Sequence, residues 1–431
     1  MKVLWFSLSP CGSMRRKGNN LVIQGWMISL EDQIKNNPDI DLHVAFLSED
    51  ESEAFFFEGV HYYPIFHPKS KNPVRRVLER KASLAKIDAR LLPSMLNIVK
   101  EARPDIIHIH GTEERFGLIA KHVSGIPVVF SIQGLLAPYA EKYFSGMPDK
   151  EIFWYESLYD KMKLVSYRNE YEDFCKRAER EKAFLKDAEY IIGRTFWDEY
   201  VTGLLNPRRK YYVVDEILRS PFYDLRWDKQ CFTEGKIKIV STISGGIYKG
   251  YEVVLKTASL LKQFSGIDFE WNIVGYDGQS KWVKIAEKLT KIKSEEVDVV
   301  LKGRMDAPEL SALLVESDLY LQVSHIENSP NSVCEAMLVG MPIIAAFSGG
   351  TASLLENGTE GVLVQDGDPY VFAGAVVNLF SRFDLAKKYG ENARNRALAR
   401  HDRERIVSCL IDVYNKILED YKGHSYENSI C

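Results

Sequence analysis

From Leu319 to Gly350 the chain reads LYLQVSHIENSPNSVCEAMLVGMPIIAAFSGG. Two apolar runs of strand length, 319–323 and 342–346, flank one helix-length stretch. Strand–helix–strand alternation of this kind builds a parallel sheet. Ser329 and Pro330 suit the N-cap and first turn of the helix, and Gly340 suits its end. Each strand runs into a polar or glycine-bearing turn, the second being Ser348-Gly349-Gly350. In open α/β sheets such strand-end turns are where ligands bind. Glu327 lies in the first turn and Glu335 in the helix, with seven residues between them.

Unpaired amides at a helix start attract phosphate, because the helix dipole is positive there. Carboxylates accept hydrogen bonds from sugar hydroxyls. Phosphate on the amides and hydroxyls on the carboxylates together describe a nucleotide sugar. A plainer alternative stands beside this: Glu327 decorates a turn and Glu335 is a solvated helix residue, and their spacing does not separate the two readings.

The wider context does. Glu-x7-Glu followed by Ala-Met, a Gly-x-Pro strand and a Gly-Gly loop resembles the donor-site signature of retaining glycosyltransferases of the GT-B fold, family four. Glu327-Asn328-Ser329-Pro330-Asn331 is similar to the (D/E)-N-x-P-N form of many bacterial members. The resemblance extends, less specifically, over nearly the whole chain. It implies an α/β protein of two doubly wound Rossmann-like domains facing a cleft, with a C-terminal helix crossing back to the first domain. The expected division is 1–215 for the acceptor domain, 216–395 for the donor domain and 396–431 for the returning helix.

At 431 residues the chain is long enough for two such cores. A net charge of −4 argues against a general nucleic-acid binder. No apolar run approaches the eighteen or so residues of a membrane span. The opening MKVLWFSLSP reads as a first buried strand rather than a signal peptide. Six cysteines without CxxC spacing read as reduced thiols of a cytoplasmic protein, not as a zinc site.

In the first half, VLWFSLS, a glycine-bearing loop and LVIQGWMISLEDQI make a Rossmann-like opening, yet GxGxxG is absent. The resemblance puts Gly25 near substrate. Between 69 and 86 basic residues dominate (Lys69, Lys71, Arg75, Arg76, Arg80, Lys81, Lys86). A solvated helix face explains them; so does peripheral attraction to anionic lipid at the inner face of the membrane. In PDIIHIHGTEE, strand alternation puts His108 and His110 on one face, with His110 at the strand end. The next strand ends in Gln133, where many relatives carry a histidine near the transferring sugar. Glutamine hydrogen-bonds a hydroxyl but shuttles no proton, which leaves a protein base from this domain without a carrier. Arg194 and Thr195 follow another strand, near the expected domain interface.

In the second half, KIKIVSTI runs into SGGIYKG. The order is wrong for GxxxxGK[ST], so this is no P-loop. It resembles instead the element whose Arg and Lys hold the donor diphosphate. Lys249-Gly250 fits; the Arg is missing, with Ser244 near its place. Gly303 and Arg304 end a strand whose loop, in relatives, passes near the nucleobase. Asp366-x-Asp368 mimics a metal-binding DxD, but Asp368 before Pro369 reads as a helix N-cap, and no metal or cofactor is expected.

The reading is a metal-independent glycosyltransferase moving a sugar, with retention, from a nucleotide sugar, expected to be UDP-linked. The acceptor would be a glycan or a polyprenyl-diphosphate-linked sugar, in surface polysaccharide, lipopolysaccharide or capsule assembly. By resemblance, Glu335 accepts the ribose hydroxyls, Lys249 pairs with the diphosphate, and Glu327 with Ser329, Asn331 and Ser332 orients the sugar. Gln133, His110 and Gly25 face the acceptor side. The alternatives are a nucleotide-sugar epimerase and a weakly active nucleotide-sugar-binding subunit.

Overall fold

The computed structural model describes residues 1–17, 25–50, 52–68, 77 and 84–427, with side chains described through 423. The chain forms two compact units: 1–137 with 158–217 and 402–431, and 138–157 with 218–401. Of the basic stretch only Lys86 falls among the described residues, exposed on the helix Leu84–Ala102; Lys69 to Lys81 lie outside them.

The first unit is built on an eight-stranded sheet. Its strands are β1 (Lys2–Ser7), β2 (Asp41–Ser48), β3 (Phe55–Phe57), β4 (Val60–Phe66), β5 (Ile106–His110), β6 (Val128–Ser131), β7 (Tyr190–Gly193) and β8 (Lys210–Val213). The order is β3-β4-β2-β1-β5-β6-β7-β8, parallel except for β3 against β4. β1 shows why the sequence makes such a strand. Val3 and Trp5 enter one core with the helices Trp26–Ile34 and Arg403–Glu427, while Leu4 and Phe6 enter another with Leu84–Ala102. Burial on both faces calls for a continuous apolar run, which β1 supplies. β3 and β4 form a hairpin absent from the sequence reading. Its two-residue turn, Glu58-Gly59, has positive φ at both positions, which glycine favours and which matches the strand twist.

The second unit holds β9 (Ile237–Thr242), β10 (Phe269–Val274), β11 (Val299–Gly303), β12 (Leu319–Gln322), β13 (Ile343–Phe347) and β14 (Val362–Gln365). All pair in parallel in the order β11-β10-β9-β12-β13-β14. From β9 the chain winds outward through β10 and β11, then returns to β12 beside β9 and winds the other way. That reversal between β9 and β12 is the switch point at which doubly wound sheets bind ligands. In the first unit the reversal lies between β1 and β5.

Two expected boundaries shift. The helix Phe383–Arg400 stays with the second unit, because its small face (Ala386, Gly390, Ala393, Ala397) lets it approach the helix Asn331–Val339 closely. The return to the first unit begins at Asp402, not 396. Residues 138–157, assigned by sequence to the first domain, group with the second unit. Tyr139 and Tyr143 pack on Tyr248, with ring centroids 5.4 and 6.0 Å apart, and Lys142 pairs with Asp366 at 3.3 Å.

Candidate functional site

The loops after β9 and β12 carry the second unit's site. Gly250 adopts a left-handed conformation, and a Cβ there would collide with the Val323 carbonyl oxygen. The glycine thus lets the loop after β9 lie directly on the end of β12. Lys249, the residue before it, places its Nζ 2.6 Å from Glu327 Oε1. Burial pulls the Lys249 pKa down, but Glu327 outweighs it and holds the ammonium above its ordinary range. The two residues assigned by sequence to catalysis are therefore hydrogen-bonded to each other.

The loop after β13 closes over the same turn. The Gly350 amide donates to the Glu327 carbonyl at 2.9 Å. Gly349 has φ +51°, and a Cβ there would fall on that carbonyl oxygen. The helix after the turn begins at Asn331, one residue later than expected, with Pro330 rather than Ser329 at the N-cap and no side-chain cap. Gly340 ends it in the left-handed conformation. Ser329 is buried, Ser332 is half-buried, and the Asn331 Oδ1 is a buried acceptor with no hydrogen-bond partner. An unfilled acceptor beside a helix start suits a ligand hydroxyl or amide.

Glu335, on this helix, is buried, and that burial pushes its carboxyl upward against the pull of Arg219. Arg219 Nε and Nη2 reach its two oxygens at 2.7 Å each, a two-pronged ion pair. Arg219 was not among the sequence candidates. It sits 116 residues earlier in the chain, and no local pattern announces the pairing. Glu335 keeps further lone pairs for a hydroxyl, since a carboxylate offers about four acceptor positions. It is a shared acceptor, not a free one.

Ser244, Gly303 and Arg304 lie on the same C-terminal edge of the sheet. Ser244 is exposed after β9, and Arg304 is exposed after β11. Gly303, with φ +70°, accepts from the Gly275 amide at 2.7 Å. β11 stands two strands from β9, roughly 10 Å along the edge. The structure therefore joins Lys249, Glu327 and the 329–335 turn, and sets Gly303 and Arg304 apart from them.

Behind the turn is a buried charge cluster the sequence did not suggest. His325 Nε2 lies 2.5 Å from Glu252 Oε1, and its Nδ1 lies 3.6 Å from Asp366. Desolvation lowers the imidazole pKa, but the two carboxylates prevail and raise it to about 9. Glu252 opens the helix behind Lys249-Gly250, so the cluster braces both loops. Asp366 is spent on His325 and Lys142, while Asp368 caps the helix Pro369–Phe380 through the Tyr370 and Val371 amides.

In the first unit, the expected residues lie at the β1/β5 reversal and the adjacent end of β6. His108 and His110 share a face, their rings stacked 3.8 Å apart. His108 is bonded at both ring nitrogens, to Tyr414 at 2.6 Å and Ser131 at 2.5 Å, and burial lowers its pKa to about 3. His110 packs edge-on to Trp5, and neither of its buried ring nitrogens has a hydrogen-bond partner. Burial, with His108 and Arg194 nearby, holds it well below its ordinary range and therefore neutral. Gln133 is half-buried, its carboxamide near Gly111. Gly25 is the N-cap of the helix Trp26–Ile34, with open space where a Cβ would stand. Arg194 stacks 4.3 Å over Trp26 and pairs with Glu216 at 3.4 Å, and Thr195 caps the next helix.

Residues 227–396 match the family described as glycosyl transferases group 1. The chain is 31% identical over 125 residues to N-acetyl-alpha-D-glucosaminyl L-malate synthase of Bacillus anthracis, covering 29% of this chain and 32% of that protein. It is 30% identical over 139 residues to the amylovoran biosynthesis glycosyltransferase AmsK of Erwinia amylovora, covering 30% and 33%. The matched stretch spans about a third of the length of these two relatives. Among solved structures, HepE of Anabaena in complex with UDP-glucose is similar over 96% of this chain and 100% of that one, with TM-score 0.63 and 17% identity. At that identity the likeness speaks for the fold, which is GT-B. The family match thus lies within the second unit, at residues 227–396, and the likeness over nearly the whole chain is to the GT-B fold.

Proposed function

We propose that this chain transfers a sugar from a UDP-sugar to a glycan or polyprenyl-diphosphate-linked acceptor during surface polysaccharide or glycoconjugate assembly. The observation that carries the reading is the half-buried Lys249–Glu327 pair at the β9/β12 reversal, next to the Asn331 helix start. On donor binding, the Lys249 ammonium passes from Glu327 to the diphosphate. There it offsets the negative charge that grows on the leaving group as the glycosidic bond breaks. Glu327, released, accepts hydroxyls of the transferred sugar, with the Asn331 carboxamide beside it. Glu335 accepts a ribose hydroxyl on the lone pairs that Arg219 leaves open. This chemistry calls on no metal.

On the acceptor side, a neutral His110 and Gln133 can hold hydroxyls by hydrogen bonds but take up no proton at neutral pH. The proton of the attacking hydroxyl then leaves through the departing phosphate, as a retaining, front-face transfer requires. Similarity to HepE favours UDP, and similarity to AmsK favours a polysaccharide product. The test is acceptor-dependent release of UDP from a panel of UDP-sugars offered with lipid-linked and soluble glycan acceptors. Release that requires acceptor supports the proposal. Donor bound and recovered unchanged with every acceptor, or recovered as its epimer, contradicts it.

A further inference from the structure

At the opposite end of the first unit's sheet, three potential metal ligands converge. Asp41 opens β2, His43 follows two residues later on the same face, and His61 lies directly across from His43 in the parallel partner β4. One donor atom from each lies within 4.8 Å of the others. The imidazole rings of His43 and His61 are stacked at 4.5 Å with planes 10° apart. His43 is buried, whereas the Asp41 side chain is half exposed, so an ion has a route in.

The surroundings of His43 single out its Nε2. Nδ1 is occupied by the Tyr63 hydroxyl at 3.1 Å, which fixes the ring orientation. Nε2 is buried without a hydrogen bond, and an Asp41 oxygen lies 3.3 Å from it. A metal-bound histidine commonly has its other nitrogen held in this way. Phe56 packs on His61 at 4.7 Å and limits the swing of that ring.

The geometry points to a binding site for one borderline divalent cation, of the zinc, cobalt or nickel class, held by Asp41, His43 and His61. Two imidazoles and one carboxylate form a ligand set suited to these metals rather than to magnesium or calcium. Zinc–nitrogen bonds of about 2.0–2.1 Å require ligand atoms roughly 3.4 Å apart. The Asp41 oxygen already stands 3.3 Å from His43 Nε2, and on binding the His61 ring would turn toward them to reach that spacing. Among the described residues Lys2 is 4.0 Å from Asp41 and partly exposed, so its ammonium could yield the carboxylate to an ion. The ion would tie β4 to β2 where β2 begins. Water completes its coordination.

The experiment is calorimetric titration of the full, EDTA-treated and dialysed chain with Zn²⁺, and absorption spectroscopy with Co²⁺. The wild type is expected to bind one equivalent and to show the visible bands of a four-coordinate Co²⁺ site. His61→Ala and Asp41→Ala alter exposed or half-exposed positions, so folding is retained. Each should weaken binding at least about tenfold and bleach the Co²⁺ bands. Tyr63→Phe, which removes only the outer hydrogen bond, should weaken it about tenfold. No binding to the wild type, or binding unchanged in both His61→Ala and Asp41→Ala, overturns the proposal.

Discussion

Lys249 Nζ and Glu327 Oε1 are 2.6 Å apart, in a setting where both side chains are largely withdrawn from water. Each neutralises the other, so a nucleoside diphosphate entering here has to compete with Glu327 for the lysine. The ion pair holds Lys249 in place before any donor arrives, at a cost in affinity.

Glu327→Gln removes that competition. The variant should bind UDP about tenfold more tightly than wild type, since a charge-assisted bond no longer has to be broken. It should also lose most sugar transfer, because the carboxylate that receives the sugar hydroxyls is gone. Titration calorimetry with UDP checks the first part; equal or weaker binding would mean that Lys249 does not move to the diphosphate.

Half-buried Arg219 and buried Glu335 form the second ion pair of the site. Arg219→Met leaves Glu335 buried without a partner, which should cost on the order of 3 kcal/mol of stability. The double change Arg219→Met with Glu335→Leu should recover most of it, since an apolar pair of similar volume is tolerated there. Urea unfolding of the three proteins measures this.

His325 makes stability depend on pH. Its pKa is raised in the folded chain to about 9 from an ordinary 6.5. A raised imidazole contributes in full below about pH 6.5 and loses that contribution as pH climbs through 9. The difference corresponds to about 3 kcal/mol. Between pH 6.5 and 9.5, wild type should lose roughly 2–3 kcal/mol more unfolding free energy than His325→Gln. Parallel pH profiles for the two would show that the Glu252–His325–Asp366 cluster is not charged in the way described.

Much of the fold was legible because each buried parallel strand announces itself as a short apolar run, as in Val3–Phe6 or Ile343–Ala346. The turn at 324–330 was legible too, since Glu327, Pro330 and Gly340 are local signals. Less so were relationships that depend on distant segments. Nothing near Arg219 points to Glu335, and nothing near His325 points to Glu252, 73 residues earlier. The attachment of 138–157 to the second unit rests on Tyr139, Tyr143 and Lys142 meeting Tyr248 and Asp366, a matter of tertiary packing alone. One local signal was overlooked: Glu58-Gly59 between two aromatic runs is a recognisable hairpin turn.

Gly349 tests how tightly the loops are locked. Gly349→Ala forces a Cβ onto the Glu327 carbonyl at a positive φ. The two strand-end loops must separate, with a loss of about 2–4 kcal/mol in stability and of UDP binding. Gly358→Ala also changes a positive-φ glycine but meets only the Tyr389 hydroxyl at 4.0 Å, and should cost less and leave UDP binding intact. Thermal unfolding and calorimetry together separate the two outcomes.

The central claim is that the loops joined by Lys249, Glu327 and Glu335 form a nucleotide-sugar donor site. Calorimetric titration of UDP into wild type, Lys249→Ala and Glu335→Ala tests it most directly. Wild type should bind, and each variant should bind more weakly by about 1.5–3 kcal/mol, the worth of a hydrogen bond to a charged group. No binding of UDP, GDP or ADP to the wild type, or binding that both variants leave unchanged, would contradict the account.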